Sequence, residues 1–158
     1  MSLRAVHVLQ SGVIPYRIGK SGAVKVLLVG RGKKTRWGIP KGTAEPGLSL
    51  PENAAKEAYE EAGVRGQLAT RAAGKYSALK RLRVTGQEIT VEVWVYLLKV
   101  NEIACRWPEK GKRRVKWVSA AKAAQMLQEP LLRELCEELA QDLKPRKSRE
   151  DSASHRAL

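Results

Sequence analysis

The chain has 158 residues, 43% of them hydrophobic and 29% charged, a composition that suits one packed domain and excludes a wholly disordered chain. Thirty Lys and Arg against sixteen Asp and Glu give a net charge of +14, a field that draws polyanions and makes a phosphorylated partner the expectation. The apolar stretch 91–100 is interrupted by Glu92 and the start Met1-Ser2-Leu3-Arg4 has no apolar signal segment, so the expectation is a cytoplasmic protein without a membrane partner.

Residues 4–18 and 23–29 are β-branched and apolar, and the turn Gly19-Lys20-Ser21-Gly22 between them predicts a strand pair. The loop that follows carries Arg31, Lys33, Lys34 and Arg36 with no acid, which suits a phosphate-facing segment. It runs into Trp37-Gly38-Ile39-Pro40-Lys41-Gly42. A helix is predicted from Ser49, because Ser49 and Glu52 have capping-box spacing and Pro51 falls in the first turn. Gly63 supplies its stop.

Residues 64–99 read as extended, with turns near Gly74, at Lys80–Arg83 and at Gly86-Gln87. The last strand alternates Val91, Val93, Val95 and Leu97 with Glu92, Trp94 and Tyr96, which predicts one core face. A short strand at 115–118 precedes two helices, 119–127 and 130–142, the second with Leu131, Leu132, Leu135 and Leu139 on one side. Residues 1–143 therefore form the domain, and 144–158 are expected to be a basic disordered tail. This order of elements predicts an α/β (α+β) sandwich with helices packed on a mixed sheet.

Cys105 and Cys136 lack metal-ligand spacing and read as buried free thiols, while His7 and His155 are the chain's histidines. Catalysis must then rest on carboxylates. Four of the sixteen acids, Glu52, Glu57, Glu60 and Glu61, fall within ten residues of the predicted helix. Glu57, Glu60 and Glu61 share an arc of about 100°. Their mutual repulsion, at the helix end whose dipole disfavours anions, would be reversed by a bound cation. Oxygen-only ligands match Mg²⁺ or Mn²⁺. A solvated acidic face is the other reading, and it is the one assigned to the similar run Arg133–Glu138, which lies opposite the leucine stripe.

Gly42 to Val64 resembles the Nudix box, G-x5-E-x7-R-E-U-x-E-E-x-G-U with U aliphatic. Gly42, Glu57, Ala58, Glu60, Glu61, Gly63 and Val64 fall on its positions, whereas Leu48 replaces its first glutamate and Lys56 its arginine. Glu45 is a candidate substitute for the missing acid. The segments Trp37–Gly42 and Trp107–Trp117 are similar to the corresponding regions of the family, the latter to its diphosphoinositol polyphosphate phosphohydrolase branch, so the resemblance covers about residues 4–142. It implies a Nudix-like α/β/α sandwich and a hydrolase acting on phosphoric anhydride bonds.

In that reading Glu57 and Glu61 are metal ligands, Glu60 is a further ligand or the general base, and the backbone carbonyl of Lys41 or Gly42 completes the shell. A fourth carboxylate would come from Glu45, Glu88, Glu92 or Glu109. Three basic groups are expected to converge on a polyphosphorylated small-molecule substrate: Arg31, Lys33, Lys34 and Arg36; Lys80, Arg81 and Arg83; Lys112, Arg113 and Arg114. Trp94 and Tyr96 are either base-stacking or core residues. The implied substrate is a diphosphoinositol polyphosphate or a dinucleoside polyphosphate, handled by a monomer or homodimer with no nucleic-acid partner. The departures at Leu48 and Lys56 open an alternative, a catalytically weak module of the same fold that binds polyphosphates or RNA.

Overall fold

The computed structural model describes residues 6–30 and 36–142. Arg31, Lys33 and Lys34, and the expected tail, lie outside them. The elements are β1 (Val6–Ile18), β2 (Val24–Gly30), β3 (Trp37–Gly38), β4 (Lys41–Thr43), α1 (Leu50–Ala62), β5 (Val64–Leu68), β6 (Gly74–Arg81), β7 (Glu88–Ile103), β8 (Arg114–Ser119), α2 (Ala120–Met126) and α3 (Pro130–Asp142).

The strands form one mixed, eight-stranded sheet built on β1 and β7. These two run parallel from Val6↔Ile89 to Tyr16↔Lys99. The other edge of β1 is shared, with β4 pairing at Gln10–Gly12 and β2 at Tyr16–Ile18. The expected β1–β2 hairpin is thus confined to the end of β1, and its larger partner is a strand about eighty residues away in sequence. Beyond β2 lie β3 and β8, while β7 also pairs with β5 and β6.

Helices cover both faces. Ala54, Ala58 and Ala62 let α1 approach Val13, Leu27, Val29, Val64, Tyr96 and Leu98 closely, because a methyl side chain keeps the helix near the sheet. On the opposite face Leu132, Leu135, Cys136 and Leu139 of α3 pack with α2 on Ile14, Leu28, Val91, Val93 and Val95. The expectation of one core face on β7 is therefore corrected: Val93 and Val95 face α3, and Tyr96 and Leu98 face α1. The turn expected near Gly74 lies just before it, in bends at Thr70, Arg71 and Ala73, and Gly74 itself opens β6, where a side chain would press against Leu131 of α3. Glu134, Glu137 and Glu138 are exposed on α3, as the leucine stripe requires. Cys136 is buried, but Cys105 is exposed, contrary to expectation, because it lies in the connection after β7. Among the described residues no helix is long and apolar enough to cross a membrane.

Candidate active site

The start of α1 is set by local chemistry. Ser49 Oγ accepts from the Glu52 amide, the Glu52 carboxylate accepts from the Ser49 amide, and Pro51 stands in the first turn. The helix ends at Gly63, whose φ of 68° suits glycine. There the ring of Trp107 lies where any side chain would be. Trp107 Nε1 donates to the Glu61 carbonyl at 3.2 Å, and the Glu109 amide donates to the Glu60 carbonyl at 2.9 Å. The segment before β8 is thereby tied to the last turn of α1, whose free carbonyls need donors.

Asn53 fastens the other side. It is fully buried, its Nδ2 donates to Ser11 Oγ at 2.9 Å and to the Gly42 carbonyl at 3.3 Å, and its Oδ1 accepts from the Glu45 amide at 3.2 Å. One side chain thus locks β1, the glycine after Lys41 and the approach to α1. Sequence reasoning missed it, although a polar residue among the alanines of an inward helix face was the available signal.

Glu61 is 1% exposed. Its Oε2 accepts from the Lys41 amide at 2.9 Å and its Oε1 lies 3.1 Å from Arg113 Nη2. The other arm of that guanidinium, Nη1, donates to Glu109 Oε1 at 2.6 Å. Glu60 is held by Lys56 Nζ at 2.7 Å, and the same ammonium meets Glu45 Oε1 at 2.7 Å. Glu57, partly buried, projects across Gly42, where a side chain would collide with its carboxylate. Burial raises its pKa above the usual carboxylate range, Glu60 adds to the rise, and Glu109 and Glu45 contribute further against the opposing effect of Lys56.

Two cations therefore clamp two of the three helix carboxylates, each drawing in one acid from outside the helix. Glu45 and Glu109 reach the site. Glu88 pairs with Arg81 at 3.4 Å, and Glu92 accepts from Trp94 Nε1 at 2.7 Å. Among the described residues no three acidic, histidine or cysteine side chains are gathered closely enough to hold an ion. The donor set nonetheless suits a hard divalent cation: oxygen ligands, a glycine cradle under Glu57, and a half-buried carboxylate surrounded by like charge. The Lys41 amide is committed to Glu61, and the Gly42 carbonyl meets Asn53.

The basic residues divide. Arg113 points at the carboxylates, whereas Arg114, next along β8, stacks over Trp37 at 4.8 Å with Lys116 at 5.9 Å. Arg36 is exposed beside Trp37. Arg81 and Arg83 are not brought to this cluster. Gly12 is level with Lys41 and, across β7, with Val95 and Gly74. Arg81 lies at the far end of β6, roughly 23 Å away at ~3.3 Å per residue. Arg83 falls in the turn beyond it, and Lys80 and Lys112 are exposed. Tyr96 is core, and Trp94 packs at the edge of the α1-side core with Lys75 5.1 Å from its ring.

A family model described as the NUDIX domain matches residues 8–135. Among curated proteins the chain is 36% identical over 129 residues to "Nudix hydrolase 21, chloroplastic" of Arabidopsis thaliana, covering 80% of this chain and 63% of that protein. It is 32% identical over 133 residues to "Nudix hydrolase 4" of the same plant, covering 80% of this chain and 62% of that one. The chain thus spans somewhat under two thirds of the length of these relatives. The crystal structure of a C. elegans Ap4A hydrolase is similar at a TM-score of 0.59 and 21% identity, covering 88% of this chain and all of that one. The NUDIX domain of Shewanella oneidensis NrtR, complexed with ADP ribose, gives a TM-score of 0.63 at 20% identity, covering 88% of this chain and 90% of that one. At these identities the two structures speak to the fold.

Proposed function

The chain belongs to the Nudix family, and on that premise we propose that it is a divalent-metal-dependent pyrophosphohydrolase of a highly phosphorylated small molecule, a dinucleoside polyphosphate or a diphosphoinositol polyphosphate. The observation that carries this reading is the disposition of Glu57, Glu60 and Glu61 on the last turns of α1, with Glu57 seated over Gly42 and its proton affinity raised.

Glu57 and Glu61, with a backbone carbonyl at Lys41 or Gly42, would hold Mg²⁺ or Mn²⁺. Bound there, such an ion would offset the charge of the diphosphate and make an attacking water more acidic. The rest falls to the chain's own groups. Glu60 takes the proton as the water oxygen bonds to phosphorus, and the bridging P–O bond breaks with its electron pair leaving on the departing phosphate. Arg113, Arg114 and Arg36 supply positive charge where the leaving phosphate gathers negative charge. Asn53 keeps the Gly42 backbone and α1 in register throughout.

The test is release of phosphate and nucleotide from a panel of diphosphoinositol polyphosphates, dinucleoside polyphosphates, sugar nucleotides and nucleoside triphosphates, with Mg²⁺ or chelator. Glu61→Gln serves as the control. Metal-dependent turnover lost in that variant supports the hydrolase, and the preferred substrate decides the branch. A second reading has a specific observation in its favour: Leu48 replaces the box's first acid, and Lys56 holds Glu60. It predicts binding of a polyphosphate, or of RNA, without turnover, and turnover of any panel member removes it.

A further inference from the structure

α1 packs on its face of the sheet at Val13, Tyr96 and Leu98. Nearer the start of β7 the same face is open to solvent: Leu9 of β1 is 41% exposed, Leu79 of β6 is 73% exposed, and Lys75 and Ser77 are exposed beside them. Register places Trp94 level with Ser11 on one side and Lys75 on the other, and Glu92 level with Leu9 and Ser77. Half-buried Trp94 donates from Nε1 to Glu92 Oε1 at 2.7 Å, and Lys75 Nζ lies 5.1 Å from its ring. Glu92 thus fixes the indole in its plane, and the ring face that exposed Lys75 approaches is one that a ligand can reach. Ser11 is also level with Gly42 of β4, the glycine over which Glu57 lies. Two strand spacings of ~4.8 Å therefore separate Trp94 from Gly42, roughly 10 Å, which is the reach of a ribose and its first phosphates.

Resting on the hydrolase reading above, we propose that Trp94, Glu92 and Lys75 form a base-reading platform that sets the substrate class: a nucleotide with an amino-bearing purine, hence a dinucleoside polyphosphate rather than a diphosphoinositol polyphosphate. The indole stacks a planar base. Glu92, an acceptor when ionised, has room for an exocyclic amino N–H besides the indole donor. Lys75 yields the ring face to the base and turns to the phosphates that lead toward Glu57. Leu9, level with Glu92, gives the apolar edge of the base a partner. An inositol ring set about with phosphates has no flat apolar face to stack, and it would bring its charge against Glu92, so the same carboxylate that reads a base repels the competing substrate. The net charge of +14 draws both kinds of polyanion, and the choice between them falls to local groups of this kind.

The experiment follows the indole N–H resonances of the full chain by NMR, without metal, during titration with adenosine monophosphate, ribose phosphate and inositol hexakisphosphate, the Trp94 signal being assigned from Trp94→Phe. Adenosine monophosphate should shift that signal and bind the parent about fivefold or more tighter than ribose phosphate, whereas inositol hexakisphosphate should leave the signal in place. Trp94→Leu should abolish the difference between the two monophosphates, and Trp94→Phe, which keeps a ring, should retain most of it. A merely structural Trp94 would weaken both ligands alike. If Trp94→Leu does not fold, the parent's shift and its contrast with ribose phosphate decide alone. A Trp94 signal that adenosine monophosphate leaves unmoved, or that inositol hexakisphosphate moves as far, overturns the platform. Neither ion nor turnover enters this readout, so the platform can fall while metal-dependent hydrolysis stands, and a hydrolase reading that fails on the substrate panel fails separately.

Discussion

Lys56 stands at the arginine position of the box, and Glu45, three residues before Leu48, pairs with that lysine. The ammonium reaches Glu45 and Glu60 at 2.7 Å each, and both contacts push its pKa upward, Glu45 most. Such exposed pairs contribute little to folding, but this one fixes where Glu60 points. Lys56→Met should therefore lower kcat/KM by about tenfold with a nearly unchanged unfolding midpoint, and Glu45→Gln should show a milder form of the same loss. A large drop in midpoint with unchanged kinetics would reverse the assignment. The thiols give a second residue-scale test. Burial, with Glu137 adding, pushes the Cys136 thiol up to about 12, so it stays protonated and inert near neutral pH, whereas Cys105 is exposed. A thiol reagent should modify Cys105 quickly in the native chain and Cys136 only after denaturation, with the modified residues identified by peptide mass. At this scale the helix carboxylates were legible because spacing along one helix is local information. The clamps were not: Arg113 meets Glu61 from more than fifty residues away, and no sequence pattern distinguishes an arginine aimed at a carboxylate from one aimed at a phosphate.

The ends of α1 could be read from sequence because caps are made by neighbours: Ser49, Pro51 and Gly63 act on residues within a turn of themselves. Strand partners could not. β1 looked like half of a hairpin, yet most of its length pairs with β7, since the turn at Gly19–Gly22 is local and the parallel pairing is settled by burial against two helix layers. The element-scale joint is Asn53, which ties α1 to Ser11, to the Gly42 carbonyl and to the Glu45 amide. Asn53→Ala strands buried partners and should cost about 1–3 kcal/mol, read as a lower denaturant midpoint at unchanged slope. It should also reduce turnover beyond what the stability loss explains, because β4 carries Gly42 and the connection from it to α1 carries Glu45. A variant with parental stability would show that the three contacts are redundant.

For the whole molecule, the net charge of +14 concerns encounter as much as contact. Sequence alone placed Arg81 and Arg83 in the substrate pocket, but pairing register carries them to the far end of the β6–β7 hairpin, where Arg81 faces Glu88. Arg81, roughly 23 Å from the Gly12 level at ~3.3 Å per strand residue, lies inside the Debye length at about 0.01 M salt and well outside it at about 0.15 M, and Arg83 follows it in the turn. They can therefore steer a polyanion toward the site in dilute buffer and be screened in ordinary buffer. Arg113 lies against Glu61, close enough to the carboxylates to act under both conditions. The double substitution Arg81→Gln with Arg83→Gln should lower kcat/KM for a polyphosphate substrate severalfold near 0.01 M salt and leave it within about twofold of the parent near 0.15 M, kcat being unchanged in both. Initial rates across a salt series on the two proteins measure this directly. A deficit that persists at the higher salt would mean that the hairpin touches the substrate, and the three basic groups would then meet around it after all.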